Sequence, residues 1–530
     1  MRAQVLPPPA IPPEKPTSLS SGTHLFVREF QFEGNHAFTS AALANVVSSF
    51  TNRSLNTENL EEARRAVTLY YVSHNYINSG AVIPDQDPTN GVVRIRIVEG
   101  VLSDIELHGN RWLRDSYIKS RLERWTKPPL NLTEAQEGLQ LLRQNPNVQQ
   151  INAELKPGVA PGQSELDLHV VDHQPFHFGL QADNQRPPTV GAEEIWALAS
   201  DDNLTGNSDP LRIQYGIANA TSDGFGFSGI DNLEGSYVLP ITRFDTTLAF
   251  NGSRLNTSII ENNFNPLDIK SLTSSYGAVL RQPVYQTPNQ EAAVSIGFDW
   301  RENKTWLLGQ PFALSPGAIT NGPDRGEMIV APLRLSQDWT LRGQSFVLAA
   351  RSTFSVGLNV LGATHDKIRG DPNASFFSWL GQGQYIRRLF NTQNQLVLRL
   401  SGQWTPDPLL ALEQLNVGGM DTVRGYPENQ LVRDRGIISS AEVRLPFIFN
   451  KAGAGILQLA PFFDFGGAWN VHGSPEPTTI YSSGAGLLIT GNKYVSAGLY
   501  WGYRLHHVEM PRNAGAQGLG ISFRVNIQAF

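Results

Sequence analysis

Arg424 lies in the run Val423-Arg424-Gly425-Tyr426, inside a turn-rich stretch that also holds Gly418, Gly419, Pro427 and Gly436. Downstream comes Phe462-Phe463-Asp464-Phe465-Gly466. A guanidinium and a carboxylate can form a charge-assisted, bidentate pair that fixes two segments in one geometry. If the second run is a strand, Gln458, Ala460, Phe462, Asp464 and Gly466 share a polar or small face, while Leu457, Leu459, Pro461, Phe463 and Phe465 share the other. The second face suits lipid. A lone aspartate on the polar face, within reach of an arginine on a loop, points to a loop tethered inside a β-barrel, as in a gated channel. By itself a four-residue run of this kind would read as an ordinary surface loop.

Other constellations give no chemistry of bond making. The chain has no Gly-x-Ser-x-Gly elbow, no His-Glu-x-x-His and no phosphate-binding glycine loop. His506 and His507 are adjacent, and adjacent strand residues face opposite sides, which argues against a shared metal. Glu61-Glu62 and Arg64-Arg65 read as a solvated helix face. With no cysteine in 530 residues, disulfide frameworks, thiolate metal sites and cysteine nucleophiles are excluded. No catalytic residue, metal or cofactor is therefore expected. The net charge of −6 argues against a nucleic-acid partner.

Which elements could position Arg424 and Asp464? Charged residues make up only 17%, against about a quarter in soluble domains. Mean hydropathy is nevertheless −0.25, and no run approaches the roughly 18 apolar residues of a membrane-spanning helix. Short alternating segments fill the C-terminal two thirds, the repeated weak signal of a transmembrane β-barrel. A large soluble all-β protein is the plainer reading, disfavoured because the lipid-type faces lack charge. Met1-Arg2-Ala3-Gln4 shows no signal-peptide pattern. An exported barrel would need one, so the expectation is a mature form with Met1 added.

Residues 1–22 contain Pro7, Pro8, Pro9, Pro12, Pro13 and Pro16, then Ser18, Ser20 and Ser21, and read as an extended tether. Residues 23–100 read as β-α-α-β-β. Phe26 to Phe32 alternates as one strand and stops at Gly34-Asn35. Thr39 caps a first helix, and Asn56-Thr57 opens a second carrying Leu60, Ala63, Val67, Tyr70 and Tyr71. Strands at Ala81 to Pro84 and Val92 to Val98 follow. Residues 101–175 repeat the order, with Gly109-Asn110 echoing Gly34-Asn35, helices near Arg114 to Trp125 and Leu132 to Gln144, and strands at Val148 to Leu155 and Leu166 to Val171.

Phe30-Gln31-Phe32-Glu33-Gly34-Asn35, Tyr76-Ile77-Asn78-Ser79-Gly80, Pro84-Asp85-Gln86 and Val98-Glu99-Gly100 closely resemble the first POTRA domain of two-partner secretion transporters, the outer-membrane proteins that export hemolysins, filamentous-hemagglutinin-like adhesins and related exoproteins. The second unit resembles a POTRA domain more generally. The resemblance implies a mostly β fold, a 16-stranded transmembrane β-barrel over residues 176–530 preceded by two α+β POTRA domains in the periplasm. It implies that the interval at about 405–436 is a loop folding into the lumen, where Arg424 pairs with Asp464, with Val423, Gly425, Tyr426, Phe462 and Gly466 forming the rest of the gating motif. It also implies a large secreted exoprotein as partner, bound through its N-terminal secretion domain. The strand edges at Ala81-Val82-Ile83 and Val148-Gln149-Gln150-Ile151 are the candidates for binding it by β-augmentation. Many members carry a leading helix that plugs the lumen, of which the proline-rich start gives no sign.

The 355 or so residues after the repeat hold about sixteen strands of about ten residues. Phe346, Leu348, Ala350 and Phe354 alternate with Ala349, Arg351, Thr353 and Ser355. Val495, Ala497, Leu499, Trp501 and Tyr503 alternate with Ser496, Gly498, Gly502 and Arg504. Leu519, Ile521, Phe523, Val525 and Ile527 share one face of a final strand that resembles the signal read by the barrel-assembly machinery, although Phe530 falls on the polar parity. Outer-membrane lipid and that machinery are accordingly expected partners, in a Gram-negative outer membrane. A barrel-assembly insertase shares all these parts; two POTRA domains and Pro84-Asp85-Gln86 favour the transporter. A passive porin leaves the repeat without a role, and an outer-membrane hydrolase lacks a nucleophile set.

Overall fold

A computed structural model describes residues 24–221, 224–225, 231–260, 265–365, 371–390, 392–490, 494–511 and 514–529. The proline-rich stretch 1–22 and Phe530 lie outside the described residues. The chain divides into two compact units, Met1–Gln174 and Pro175–Phe530.

The first unit contains the same motif twice. In the first copy the strand Glu29–Glu33 lies parallel to Val92–Val98, which is antiparallel to Gly80–Val82 on its other side. In the second, Val101–His108 lies parallel to Gln163–Asp172, itself antiparallel to Val148–Pro157. Each sheet is covered by two helices: Ser40–Val46 and Thr57–Ser73 in the first copy, Asp115–Leu122 and Leu132–Arg143 in the second. The helix starts follow local chemistry. Thr39 Oγ1 accepts from the Ala42 amide, and Asn56 forms a capping box with Asn59. Ala63, Val67 and Tyr71, one helical turn apart, are buried beneath the first sheet.

The Gly-Asn echo is structural. Asn35 Nδ2 donates to Phe38 O (2.8 Å) and Asn110 Nδ2 to Leu113 O (2.8 Å), so each pins the turn before a helix. An acid at the end of each copy completes the turn: Glu99 accepts from the Ala37 amide (2.7 Å) and the Tyr71 hydroxyl (2.9 Å), and Asp172 from the amides of Trp112 (2.6 Å) and Leu113 (2.8 Å). Burial, then the hydrogen bond to Glu99, push the Tyr71 hydroxyl well above its ordinary pKa.

The single strand expected from Phe26 to Phe32 is instead two. Leu25–Val27 pairs with Arg53–Leu55, and only from Glu29 does the chain join the main sheet. The buried parity changes across Arg28 and Glu29, from Val27 to Phe30 and Phe32, although both halves bury side chains in one core; the exposed Phe26, on the parity of Phe30, hides the break in the sequence.

In the second unit nineteen strand segments close a ring. Gly224–Phe225 and Gln310–Pro311 are two-residue hairpin pieces, and Glu327–Val330 continues into Pro332–Arg342 against the same neighbour, so sixteen strands make the wall among the described residues. All pairings are antiparallel, and Ile521–Gln528 closes on Phe176–Asp183. Leu519 precedes the last strand, in a short helical turn, and does not share its face. Leu398, Leu400, Phe463, Leu499 and Trp501 point outward and are exposed, whereas Val397, Ala460, Asp464 and Tyr500 on the alternate positions are buried. Exposed aromatics gather near strand ends, Trp404, Trp469 and Tyr503 at one rim, Phe176, Phe447 and Phe449 at the other. An apolar exterior with aromatic rims is what a bilayer requires of a barrel.

Candidate functional site in the barrel lumen

The strands Gln395–Trp404 and Arg435–Phe449 pair directly, yet about thirty residues connect them. This connection folds into the ring. A short ribbon of Leu415–Val417 and Leu431–Arg433 forms its stem, and the segment between carries the Val423-Arg424-Gly425-Tyr426 motif.

Arg424 and Asp464 meet as a bidentate pair. Nε donates to Oδ2 and Nη2 to Oδ1, both at 2.8 Å, and the Arg424 amide donates to Oδ2 at 3.0 Å. The remaining nitrogens are also satisfied: Nη1 by Glu442 Oε2, Nη2 by Ser440 Oγ at 3.0 Å. The guanidinium lies over the Phe462 ring, 3.7 Å from its centroid, with Tyr500 at 4.7 Å on a second side. Arg444 Nε in turn donates to Glu442 Oε1 (2.7 Å), and the Tyr500 hydroxyl to Oε2 (3.2 Å). Two arginines and two carboxylates thus form a neutral, fully bonded cluster.

A water-filled lumen would leave such a pair exposed and weak. Here the pair is sealed from it: Arg424 is 2% exposed and Asp464 0%. Phe462 and Tyr500 cover the guanidinium, and Val423 packs with Val417, Ala468 and Ile480 beside it. Removing one member would leave buried charge unpaired, a cost of about 3–5 kcal/mol.

The other motif residues act as fitting surfaces. Gly425 has φ +91°, a left-handed conformation, and a Cβ there would stand 2.7 Å from Gly502 O. Any side chain would hold the loop off the wall. A Cβ on Gly466 would meet Val417 Cγ1 at 2.3 Å and Val423 Cγ2 at 2.8 Å. The Tyr426 side chain is buried, and its hydroxyl donates to the backbone oxygen of His506 (2.7 Å), with that of Tyr481 also in reach at 3.0 Å. His506 thus enters through its main chain, and His507 takes no part in the motif. On the far side of the loop, Met420 N donates to Glu428 Oε1 (2.8 Å), Glu428 N to Gln517 Oε1 (2.9 Å), and Arg524 Nη2 to Asp421 Oδ2 (3.3 Å). A cavity of about 680 Å³ separates the loop from the wall formed by strands between Pro332 and Phe449, lined by Gln382, Gln384, Arg399, Ser401, Gln403 and Asn416 among others.

Glu442, Ser440 and Tyr500 were not singled out from sequence. Their signal was present: each stands on the inward parity of its strand, in register with the site, Ser440 opposite Asp464 and Glu442 opposite Phe462.

The candidate binding edges lie in the first unit. Among the described residues Gly80–Val82 and Val148–Pro157 are both edge strands, each paired on one side only. Ala81 is buried, Val82 is exposed, and Ile83 falls just beyond the strand. Val148 is buried, Gln149 and Gln150 are exposed, and the register shifts between Val148 and Gln150. The apolar gap among Ile77, Leu102, Leu130, Leu132, Leu139 and Leu166 is small, about 20 Å³, too little to hold a side chain.

A closed, apolar-coated sixteen-strand ring with a loop locked in its lumen, carried with a β-α-α-β-β repeat, defines an outer-membrane β-barrel of the POTRA-bearing class. Residues 162–489, more than half of the chain, match the family described as haemolysin secretion/activation protein ShlB/FhaC/HecB, and residues 25–100 match the ShlB-type POTRA domain. The chain belongs to this family of two-partner secretion transporters. It is 24% identical over 429 residues to the outer membrane transporter CdiB of Dickeya dadantii (strain 3937), covering 80% of this chain and 73% of that one. It is 21% identical over 448 residues to the heme/hemopexin transporter protein HuxB of Haemophilus influenzae (strain 86-028NP), covering 82% and 74%. Among solved structures, CdiB from Escherichia coli shares the fold with a TM-score of 0.71 at 21% identity, over 99% of this chain and 94% of that one. BamA from Haemophilus ducreyi lacking POTRA domains 1–3 gives 0.55 at 12% identity, over 96% and 100%.

Proposed function

We propose that this outer-membrane transporter captures the N-terminal secretion domain of one large exoprotein in the periplasm and threads it through the barrel once the lumen loop is released. The observation that carries the gating is the buried Arg424–Asp464–Glu442 cluster, which joins a mobile class of element, a long loop, to a rigid wall. Its neutrality and full hydrogen bonding favour one docked position over many. Capture would use the exposed edges at Gly80–Val82 and Val148–Pro157, where an extended segment can add as a further strand. The two copies are bonded together: Asn78 Nδ2 donates to Ser164 Oγ (3.1 Å) and Leu130 N to Gly100 O (2.7 Å). The 680 Å³ space beside the loop, lined by amides, hydroxyls, charged groups and apolar side chains together, lies along the route an unfolded chain would take. Folding of the exoprotein outside supplies the direction, since a folded domain does not slip back. The barrel-assembly machinery inserts the ring, guided by its last strand.

Deleting the gene and comparing released and surface proteins with the parent tests this. Loss of one large exoprotein with other barrels unchanged supports the reading and names the substrate. Broad depletion of outer-membrane barrels would mean an assembly insertase instead. In the same assay Arg424→Ala is expected to abolish or strongly reduce export from a folded, inserted barrel; normal export by that variant would remove the loop mechanism.

A further inference from the structure

Glu413 carries a buried carboxylate on the ascending limb of the lumen loop, well before the Arg424 motif; its side chain is 5% exposed. Both oxygens accept from Arg334 Nη2, at 2.8 and 2.9 Å, and Arg301 Nη1 stands 3.5 Å away. Arg334 is itself held by Asp299 Oδ2 (2.6 Å) and Ser355 Oγ (2.7 Å). Again two arginines and two carboxylates balance. The backbone around Glu413 is gripped too: Arg301 Nη1 donates to Leu412 O (3.2 Å), and Gln403 Nε2 donates to Glu413 O and Asp434 O, both at 3.0 Å. Leu410 is buried against Met328, Val330 and neighbouring alanines.

These partners sit on a different sector of the wall. Glu413 reaches the strands Gln290–Leu307 and Pro332–Arg342, whereas Arg424 reaches Arg435–Phe449 and Gly455–Trp469. Three strands separate the two sectors around the ring: Phe346–Gly357, Phe377–Arg388 and Gln395–Trp404. The loop therefore bridges the lumen from one anchor to the other, with the cavity beside it and the ribbon Leu415–Val417 and Leu431–Arg433 between the anchors.

The geometry points to Glu413 as a second, independently held anchor: a positioning residue that keeps the ascending limb on the wall while the tip bearing Arg424 swings about the ribbon. This rests on the loop-gated reading above. A buried charged cluster fixes position more than it adds stability, and the limb already has apolar packing to keep it folded. Placing a second such cluster on the limb makes sense if the tip must leave its site and return to the same place.

The chain has no cysteine, so single cysteines report cleanly. Leu410→Cys is introduced into the parent, Glu413→Gln and Arg424→Ala full-length proteins. Whole cells are treated with a membrane-impermeant maleimide, and the purified proteins are recorded in planar bilayers. Heat-modifiable mobility on gels confirms folded barrels. In Arg424→Ala, open-state occupancy is expected to rise while Leu410→Cys stays protected. In Glu413→Gln, Leu410→Cys becomes labelled, and open-state occupancy rises by roughly tenfold over the parent. Labelling of Leu410→Cys in Arg424→Ala alone would mean that the anchors release together and would overturn the inference. Continued protection in a folded Glu413→Gln protein would overturn it as well. If Arg424→Ala leaves conductance unchanged, loop gating itself falls, whatever Glu413 does. Should Glu413→Gln not fold, Arg301→Gln removes the more distant partner and is expected to give partial labelling; full protection there counts against the anchor.

Discussion

At Arg424 every nitrogen of the guanidinium has an acceptor, and the planar fork matches the Asp464 carboxylate. Lysine keeps the charge but cannot span both oxygens while also reaching Glu442 and Ser440. Arg424→Lys is therefore expected to export at a rate lower by roughly tenfold or more, with unchanged barrel abundance, in a secretion assay normalised to inserted protein. Glu428 offers a second residue-level prediction. Burial under the loop, with Asp421 nearby, raises its carboxyl to about 7, although the Met420 amide partly opposes this. The proton is bound more tightly in the docked loop than in a solvated one. Docking is thus strongest below the ordinary carboxyl range and weakens as pH rises through about 7. Bilayer recordings are expected to show more frequent opening at alkaline pH, and Glu428→Gln to remove that dependence. The Arg424–Asp464 pair was legible because a loop motif and a strand motif each carry several residues. Glu442 was not, since one inward acid on a strand resembles any other until register places it two residues from Ser440 and beside Arg424.

Elements were legible where one period persisted and one core received the side chains. The helix at Thr57–Ser73 and the repeated turn at Gly34-Asn35 and Gly109-Asn110 are local devices, visible in a few residues. The break at Arg28 was not visible, because the exposed Phe26 continues the apolar parity of Phe30 and Phe32 although the buried residue of the first piece is Val27. The loop's second anchor was hidden for a similar reason: Arg334 and Glu413 are far apart in sequence and meet only when the ring closes. Asp172 tests how much the repeated turn matters. Its carboxylate accepts from the amides of Arg111, Trp112 and Leu113. Asp172→Ala leaves those donors without it and is expected to cost about 2 kcal/mol or more. Limited proteolysis of the full-length protein should then cut preferentially within residues 101–172, with the barrel intact.

Over the whole molecule, the ring between Phe176 and Gln528 supplies every strand with both neighbours from its own residues. Removing residues 24–174 is expected to leave a barrel that inserts, shows heat-modifiable mobility and conducts, yet exports nothing. Export by such a truncation would locate substrate recognition in the barrel. The outward face must remain apolar at mid-depth: Leu398→Arg is expected to lower barrel stability by about 2–4 kcal/mol in refolding titrations, while Arg399→Leu, facing the lumen, is expected to spare it.

Gly425 rests on Gly502 backbone to backbone, with no side chain on either residue. Contact of this kind carries no rotamers to be sorted when it breaks or re-forms. The charged cluster fixes the docked position, and the bare glycine surface adds no side chain that must be re-packed there when the tip returns. If the tip leaves and returns during export, as proposed, its return follows the timescale of loop motion, about nanoseconds to microseconds once it is free, more than that of core repacking. The seal would then be restored between one cargo molecule and the next.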